Sequence, residues 1–367
     1  MEYIKKLIAI HSISGDEQKV QEYIYDEINK LGLGPQKVGN NIVVRIQGMN
    51  SKKALLFNAH VDTVPEGSLE LWKTNPFVPT VRGDKVYGLG ASDEKAGVAS
   101  LLLLAKKLIT LKPMCDVWLH FVVHEELDGS GTKETMRWFM KQYKNKYKHI
   151  AGILVEPTGL EEIQIGHRGN IFLQLTAYGD SGHGSRPDII NKHAVFEMVK
   201  ALHELKKLEK KWRKYNDQLL GKPTIALATS INAGDMHAPN KFPDTCRATI
   251  DIRTNPQMHA LALGDIKASL QNLGVDLDVL YTPAGAGKTD KNNALVTVTK
   301  KLFPKARICI SQGSTDQCFF TEEGIPAIII GPGEKECMHI SNEYCVASKI
   351  QKAQQQYLKI IQQWGIL

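Results

Sequence analysis

Short apolar runs alternate with amphipathic segments along most of the chain, a pattern typical of a sheet whose strands are joined by helices. The run at 54–59 is apolar at successive positions, which indicates a strand buried on both faces of a parallel or mixed sheet. The clearest strands are predicted at 41–46, 54–59, 117–123, 153–156, 306–310 and 327–330. Helices are predicted at about 17–31, 134–143, 292–302 and 350–364. This order predicts an α/β domain.

The stretch from 170 to 281 follows a different order. It reads as strand, helix, two strands, helix and strand, which is the ferredoxin-like split pattern of a self-contained α+β unit. A chain of 367 residues is also long for one hydrophobic core. We therefore expect one domain formed by 1–168 and 284–367, interrupted by an inserted domain at 169–283.

Composition narrows the class of protein. Hydrophobic residues make up 43% and charged residues 23%, as in a soluble globular protein. The net charge of +7 comes largely from a predicted helix at 204–214, where interleaved glutamates favour a solvated face over a nucleic-acid or membrane surface. The six cysteines show no paired spacing, the N-terminus lacks a signal-peptide core, and no apolar run reaches about 18 residues. These features predict a cytoplasmic protein without nucleic-acid or membrane partners.

Polar side chains recur where predicted strands end and helices begin. Such junctions face one cleft in an open α/β sheet, so four in sequence favour a shared site over isolated solvated turns. With a histidine from a later strand end, the candidate metal ligands are His60, Asp93, Glu126, Glu156 and His339. Two histidines and three carboxylates suit two zinc ions, or cobalt or manganese, bridged by one carboxylate. Glu125 is left over as a general base, and Asp62 can fix the tautomer of His60.

Two glycine-rich stretches, at 88–93 and 285–289, superficially suggest nucleotide binding. The first follows a poor buried strand, and the second lacks the glycine that a phosphate loop needs five residues before its Gly-Lys pair. We expect the first to present Asp93 to a metal and the second to be an inter-domain hinge.

Five motifs in order carry a resemblance to a known family. They are H-V-D-T-V-P, G-x-S-D-E-K-A-G, H-E-E-x-D-G-S-G, V-E-P-T and M-H-x-S-N-E, which begin at 60, 90, 124, 155 and 338. Together they resemble the di-zinc acylase and carboxypeptidase superfamily, in its acetylornithine deacetylase and succinyl-diaminopimelate desuccinylase branch. The resemblance implies a zinc-exopeptidase-like, three-layer α/β/α catalytic domain with an inserted ferredoxin-like lid and dimerisation domain.

The resemblance also implies a role for each matched position. Asp93 would bridge the metals and be followed by a cis peptide bond. One zinc would take His60 and Glu156, and the other Glu126 and His339. Asp62 would orient His60, and Glu125 would be the base.

In the inserted domain, the resemblance implies that His183 reaches the cleft of a neighbouring subunit in a homodimer and stabilises the oxyanion there. The substrate-binding positions it implies are Arg168, Asn240, Arg253, Ser314 and Thr315.

The expected reaction is hydrolysis of the amide bond of an N-acyl amino acid. At two places that hold the succinyl group in the desuccinylases, this chain has His167-Arg168 and Lys335 instead of two arginines and an asparagine. The acyl group therefore stays open. The alternatives are a dipeptidase or carboxypeptidase of the same superfamily and, from another class, a non-catalytic binding protein on this fold.

Overall fold

The computed structural model describes residues 1–366 of the 367-residue chain. Its helices are α1 (Glu2–Ala9), α2 (Gln18–Lys30), α3 (Ala96–Leu108), α4 (Ser130–Tyr143), α5 (Ala194–Trp212), α6 (Pro256–Leu270), α7 (Ala294–Leu302), α8 (Gln317–Glu322) and α9 (Ala347–Ile366). Its strands are β1 (Gln36–Val38), β2 (Asn41–Ile46), β3 (Asn50–His60), β4 (Thr80–Arg82), β5 (Lys85–Tyr87), β6 (Cys115–Val122), β7 (His149–Pro157), β8 (Glu162–His167), β9 (Gly169–Tyr178), β10 (Gly182–His183), β11 (Thr224–Ala233), β12 (Lys241–Phe242), β13 (Thr245–Thr254), β14 (Val275–Val279), β15 (Gly287–Lys288), β16 (Arg307–Ser311), β17 (Ala327–Gly331) and β18 (Tyr344–Val346).

The chain forms two compact units. Unit 1 consists of Met1–Gly166, Gly287–Ser311 and Thr315–Leu367, and unit 2 consists of His167–Ala286 and Gln312–Ser314. The larger sheet belongs to unit 1 and has the strand order β1-β2-β6-β3-β7-β17-β8-β15, with β16 also paired with β8. Strands β6, β3, β7 and β17 run parallel at its centre, while β2 and β8 pair antiparallel with their neighbours.

Helices cover both faces of this mixed sheet. Leu56 of β3 belongs to a core cluster with Phe139 of α4 and Phe320 of α8. The next residue, Phe57, points the other way and lies 5.2 Å, between ring centroids, from Tyr357 of α9. Because side chains alternate along a strand, a strand between two helical layers is buried on both faces, which explains the apolar run at 54–57. The predicted three-layer α/β/α fold is thereby explained and confirmed.

The parallel strands all present their carboxyl ends at one edge of the sheet. Strand β3 ends at His60, β6 ends just before the loop with Glu125, and β7 contains Glu156 as its penultimate residue. Strand β17 ends before the loop that carries His339. The site therefore lies where open α/β sheets bind their ligands.

Unit 2 has the predicted ferredoxin-like arrangement. Its antiparallel sheet has the order β11-β13-β9-β14. Helices α5 and α6 pack on one face through a core that includes Leu173, Trp212, Ile250 and Ile266. Strand β11 is an edge strand, and its last residues are exposed.

Some elements differ from the sequence-based expectation. Helix α4 begins at Ser130, four residues earlier than predicted, after a tight turn in which Asp128 accepts the Ser130 N–H and Gly129 adopts a left-handed φ of 65°. The predicted hinge segment contributes strand β15. None of the helices described between residues 1 and 366 has the length and apolar character needed to cross a membrane.

Candidate metal centre

His60 lies at the end of β3 with its imidazole buried. Its backbone N–H donates to Glu94 Oε2 at 2.8 Å, which fixes the strand end. Its Nδ1 lies 3.1 Å from the backbone oxygen and 3.5 Å from Oδ1 of Asp62. Because Nδ1 faces these acceptors, Nε2 is left to face the cluster. Asp62, the residue predicted to orient His60, therefore lies beside the imidazole ring of His60.

Asp93 lies in the tight turn Ala91–Lys95, just before α3. The Asp93–Glu94 peptide bond is cis, as the resemblance implied. The two carboxylate oxygens of Asp93 point in different directions. Oδ1 is 3.1 Å from His60 Nε2, and Oδ2 is 3.3 Å from His339 Nε2. One carboxylate thus faces both histidines.

Glu125 and Glu126 lie in the loop between β6 and α4. Asp62 holds this loop: its Oδ1 accepts the Glu125 N–H at 3.2 Å, its Oδ2 accepts the Glu126 N–H at 3.1 Å, and Ser14 donates its hydroxyl to the same Oδ2 at 2.7 Å. The backbone oxygen of His124, a residue with a φ of 62°, accepts three further N–H groups from 127–129. Asp62 therefore positions the loop as well as His60, a role that the sequence did not reveal.

The remaining two predicted ligands complete the cluster. Glu156 Oε2 lies 3.9 Å from His60 Nε2. His339 Nε2 lies 2.9 Å from Glu126 Oε1, and the His339 side chain is half exposed. The structure thus brings together all five residues that the sequence singled out.

These donors fall into two groups that share one residue. The first contains His60, Asp93 and Glu156, and the second contains Asp93, Glu126 and His339; within each group the donor atoms lie within 4.8 Å of one another. A third group of the same kind contains His60, Glu125 and Glu126. Donors bound to a tetrahedral zinc at about 2.0–2.1 Å are ~3.3 Å apart, close to the separations of 2.9–3.9 Å found here. The residues present therefore fit a pair of divalent cations.

The crowding of negative charge in the cluster also favours bound cations. Burial raises the pKa of Glu156 well above its ordinary value, and repulsion by Glu94 adds to this. Burial also raises the pKa of Glu125, with a further contribution from Glu156. Burial lowers the pKa of His60, but hydrogen bonds to its two neighbouring aspartates outweigh this and keep the pKa well above its ordinary value. Since like charges crowd together at low dielectric, cations would relieve a large electrostatic cost.

The predicted residues in unit 2 form two small groups. His183 Nδ1 lies 2.7 Å from the Ser185 hydroxyl, and its Nε2 lies 3.4 Å from the Asn240 amide nitrogen. Arg168 donates through Nη2 to the backbone oxygens of Lys222 and Arg253.

The other predicted substrate-binding residues also have neighbours of their own. Ser314 donates its hydroxyl to the backbone oxygen of Arg168. The Arg253 guanidinium pairs with Asp251 at 2.8 Å. Thr315 belongs to unit 1, where its hydroxyl accepts the Gln317 N–H at 3.3 Å.

Two buried carboxylates near the cluster were missed. Glu343 accepts three backbone N–H groups of the turn that carries Asp93. Asp316 accepts the Thr132 hydroxyl at 2.5 Å, and burial raises its pKa to about 7 although that hydrogen bond lowers it. Glu343 lies within the M-H-x-S-N-E motif, which was a usable signal. Asp316 directly follows Ser314 and Thr315 in the stretch that resembles a substrate loop, which was also a usable signal.

This fold and this cluster define a metal-dependent hydrolase. Comparison with known proteins agrees: the chain belongs to peptidase family M20/M25/M40, whose model matches residues 56–363. It is 28% identical to a succinyl-diaminopimelate desuccinylase of Wolbachia pipientis, over 99% of this chain and 93% of that protein.

Solved structures of the family share the fold. An M20 family metallo-carboxypeptidase of Sulfolobus solfataricus superposes with a TM-score of 0.76 at 20% identity, covering 99% of this chain and 98% of that one. A dinuclear metal-binding M20 peptidase of Bacillus subtilis gives a TM-score of 0.68 at 14% identity, covering 98% and 96%. The family match and the desuccinylase relatives confirm the predictions of an enzyme and of its superfamily.

Proposed function

We propose that the chain is a two-zinc amidohydrolase that cleaves the amide bond of an N-acyl amino acid. The observation that carries this proposal is the sharing of Asp93 between two groups of His and carboxylate donors. One ion would be held by His60, Asp93 and Glu156 and the other by Asp93, Glu126 and His339. The donor set also accommodates cobalt or manganese.

When bound, the ions would supply Lewis-acid activation of a water molecule and of the scissile carbonyl. The protein's own contribution is the handling of protons. Glu125 lies beside both groups, so its carboxylate is placed to take a proton from water and return it to the leaving amine. Asp62 would keep both Glu125 and His60 in place through the hydrogen bonds described above.

The desuccinylase relatives support an N-acyl amino acid as the substrate class. Lys335, which replaces an asparagine of that group, has its ammonium paired with Glu162 at 3.0 Å, so the grip on the acyl chain differs. A second candidate is carboxypeptidase or dipeptidase activity, favoured by the likeness to the Sulfolobus metallo-carboxypeptidase.

We also propose a homodimer formed through unit 2, with His183 acting in the partner's cleft. The exposed edge strand β11 supports this proposal, because such an edge can pair with a second copy. Light scattering after size exclusion tests it: a mass near twice 40.9 kDa is expected, and a monomer at working concentration would contradict it.

The central test combines metal analysis with a substrate panel. Purified protein should contain about two zinc ions per chain, and chelation should abolish hydrolysis that added zinc restores. N-acetyl and N-succinyl amino acids are compared with dipeptides at equal concentration. Faster turnover of the dipeptides would favour the second candidate. The absence of hydrolysis across the panel, with two ions bound, would contradict both.

A further inference from the structure

Glu343 is a buried carboxylate aimed at the backbone of the Asp93 turn. Its Oε1 accepts the N–H groups of Ser92 and Asp93 at 2.7 and 2.9 Å, and its Oε2 accepts the Gly90 N–H at 2.8 Å. Only 2% of the residue is exposed. Hydrogen bonds from N–H groups to an ionised carboxylate are charge-assisted, and they are stronger than hydrogen bonds between neutral groups.

The turn needs this external acceptor. Asp93 has non-helical dihedral angles, φ −114° and ψ 92°, so the turn does not form the regular hydrogen bonds of a helix start. The N–H groups of Ala91 and Lys95 find acceptors within 88–90, but those of Gly90, Ser92 and Asp93 turn to Glu343. Buried backbone N–H groups need a hydrogen-bond acceptor. The Glu343 carboxylate supplies that acceptor for the segment of backbone that carries Asp93.

Glu343 comes from the loop that also carries His339. Further contacts join this loop to the same turn: the Ser92 hydroxyl donates to the Tyr344 backbone oxygen at 2.8 Å and accepts the Glu334 N–H at 2.7 Å. The Gly88 N–H donates to the Glu343 backbone oxygen at 3.0 Å. The turn with Asp93 and the loop with His339 are therefore held together as one substructure.

The two donor groups are supported unequally. His60 has its own supports in Asp62 and Glu94, which do not involve the loop at 334–344. The group with Glu126 and His339 depends on the distance between the turn and that loop.

We propose that Glu343 is a positioning residue that sets the geometry of the Asp93–Glu126–His339 cation site, an inference that rests on the proposed two-cation centre. Changing Glu343 should weaken this site more than the His60–Asp93–Glu156 site, because the second site shares Asp93 but His60 keeps its own supports. Residues that orient metal ligands typically contribute 10- to 100-fold to metal affinity.

The test is Glu343→Gln, studied in the full-length protein by calorimetric titration of the chelated form with zinc and by the visible spectrum of the cobalt-substituted form. Glutamine has the same size, but its amide nitrogen would face the Gly90 N–H, donor against donor. We expect one of the two cations to bind about 10- to 100-fold less tightly, the other to lose less affinity, and the cobalt spectrum to change in the bands of the weakened site.

Glu334→Gln is the matched control. Glu334 is also a buried carboxylate of this loop, but its side chain pairs with Lys349 at 2.7 Å rather than with the turn. Unchanged affinities in Glu343→Gln, equal weakening of its two cations, or equal losses in Glu343→Gln and Glu334→Gln would overturn the proposal. A wild-type protein that binds no cation would instead overturn the proposed function itself.

A measurement on the wild-type protein covers the case in which the variant does not fold. In the chelated protein, the amides of Ser92 and Asp93 should exchange with solvent far more slowly than amides of exposed loops, because both are bonded to Glu343. Rapid exchange at these two amides would overturn the proposal without any substitution.

Discussion

Replacing Glu125 by glutamine distinguishes a proton carrier from a metal ligand. The structure is compatible with either role. Glu125 belongs to a possible metal-binding group with His60 and Glu126, and it also lies beside the two groups that share Asp93, where it could carry a proton. Glutamine preserves the size of the side chain. The backbone N–H of Glu125 donates the hydrogen bond to the Asp62 carboxylate, so the substitution leaves this bond intact and the loop should keep its course.

The expected loss is in turnover. A general acid or base typically contributes 10²–10⁴-fold, which corresponds to ~2.7–5.4 kcal/mol of barrier at ~1.36 kcal/mol per tenfold. Stability should change in the opposite direction. Burial and Glu156 raise the pKa of Glu125, so its ionised form destabilises the folded chelated protein above the unfolded pKa near ~4.3. Chelated Glu125→Gln should therefore be at least as stable as wild type at pH 7.

The assay pairs turnover with zinc titration, and Glu126→Gln is the control because it makes the same change at the next residue. We expect Glu125→Gln to bind two ions and hydrolyse slowly, and Glu126→Gln to lose affinity for one ion. If Glu125→Gln loses an ion, Glu125 is a ligand and the reasoning fails. If it keeps full activity, Glu125 is not the base.

Three further predictions concern stability, measured by urea unfolding. The chelated protein should lose stability as the pH rises from about 5 to about 8, and a flat profile would contradict this. Over that range the buried carboxylates with raised pKa values become ionised in the folded protein. The pKa of His339 is raised to about 10, chiefly by hydrogen bonds to Asp93 and Glu126, so its stabilising contribution is complete only below about pH 6.5 and declines above it. Asp116→Asn should cost ~1.5–3 kcal/mol, because it removes the charge with which the buried Asp116 carboxylate accepts hydrogen bonds from the partly exposed Arg45 guanidinium and from the Tyr147 hydroxyl; unchanged stability would contradict it. Gly331→Ala should cost about 3 kcal/mol or more, because its Cβ would lie 1.7 Å from a backbone oxygen of the adjacent strand, and unchanged stability would refute that steric argument.

The central strands and the long helices could be predicted because burial imposes a pattern on them. Strand β2 was expected at 41–46 and occupies Asn41–Ile46, and β7 was expected where Ile153 and Val155 are buried. Helix α1 and strand β8 were not expected, although Ile163 and Ile165 of β8 alternate with polar residues. Such short elements contain too few positions to separate their pattern from chance, and contacts distant in sequence decide them.

The five candidate ligands could be predicted because each stands at a strand end or a helix start, and the topology brings those points to one edge. The roles of Asp62 toward Glu125 and of Glu343 toward Asp93 could not be predicted. Both carboxylates accept N–H groups from backbone far away in sequence, and no periodicity records such a bond. The candidate metal ligands can be recognised from their positions in the sequence. The residues that hydrogen-bond to the backbone carrying those ligands can hardly be recognised in this way.

The chain leaves unit 1 along β8 and re-enters it along β15, and these two strands are neighbours in the same sheet. The Thr289 N–H donates to the Ile165 oxygen at 2.8 Å, so the exit and the return are already joined by a hydrogen bond. In this sense unit 2 is an enlarged connection between two neighbouring strands. Closing a loop becomes costlier only slowly as it lengthens, so a connection of this size can be tolerated at such a position. A short turn joining Gly166 to Gly287 could then replace unit 2 and leave every proposed cation ligand on the remaining chain.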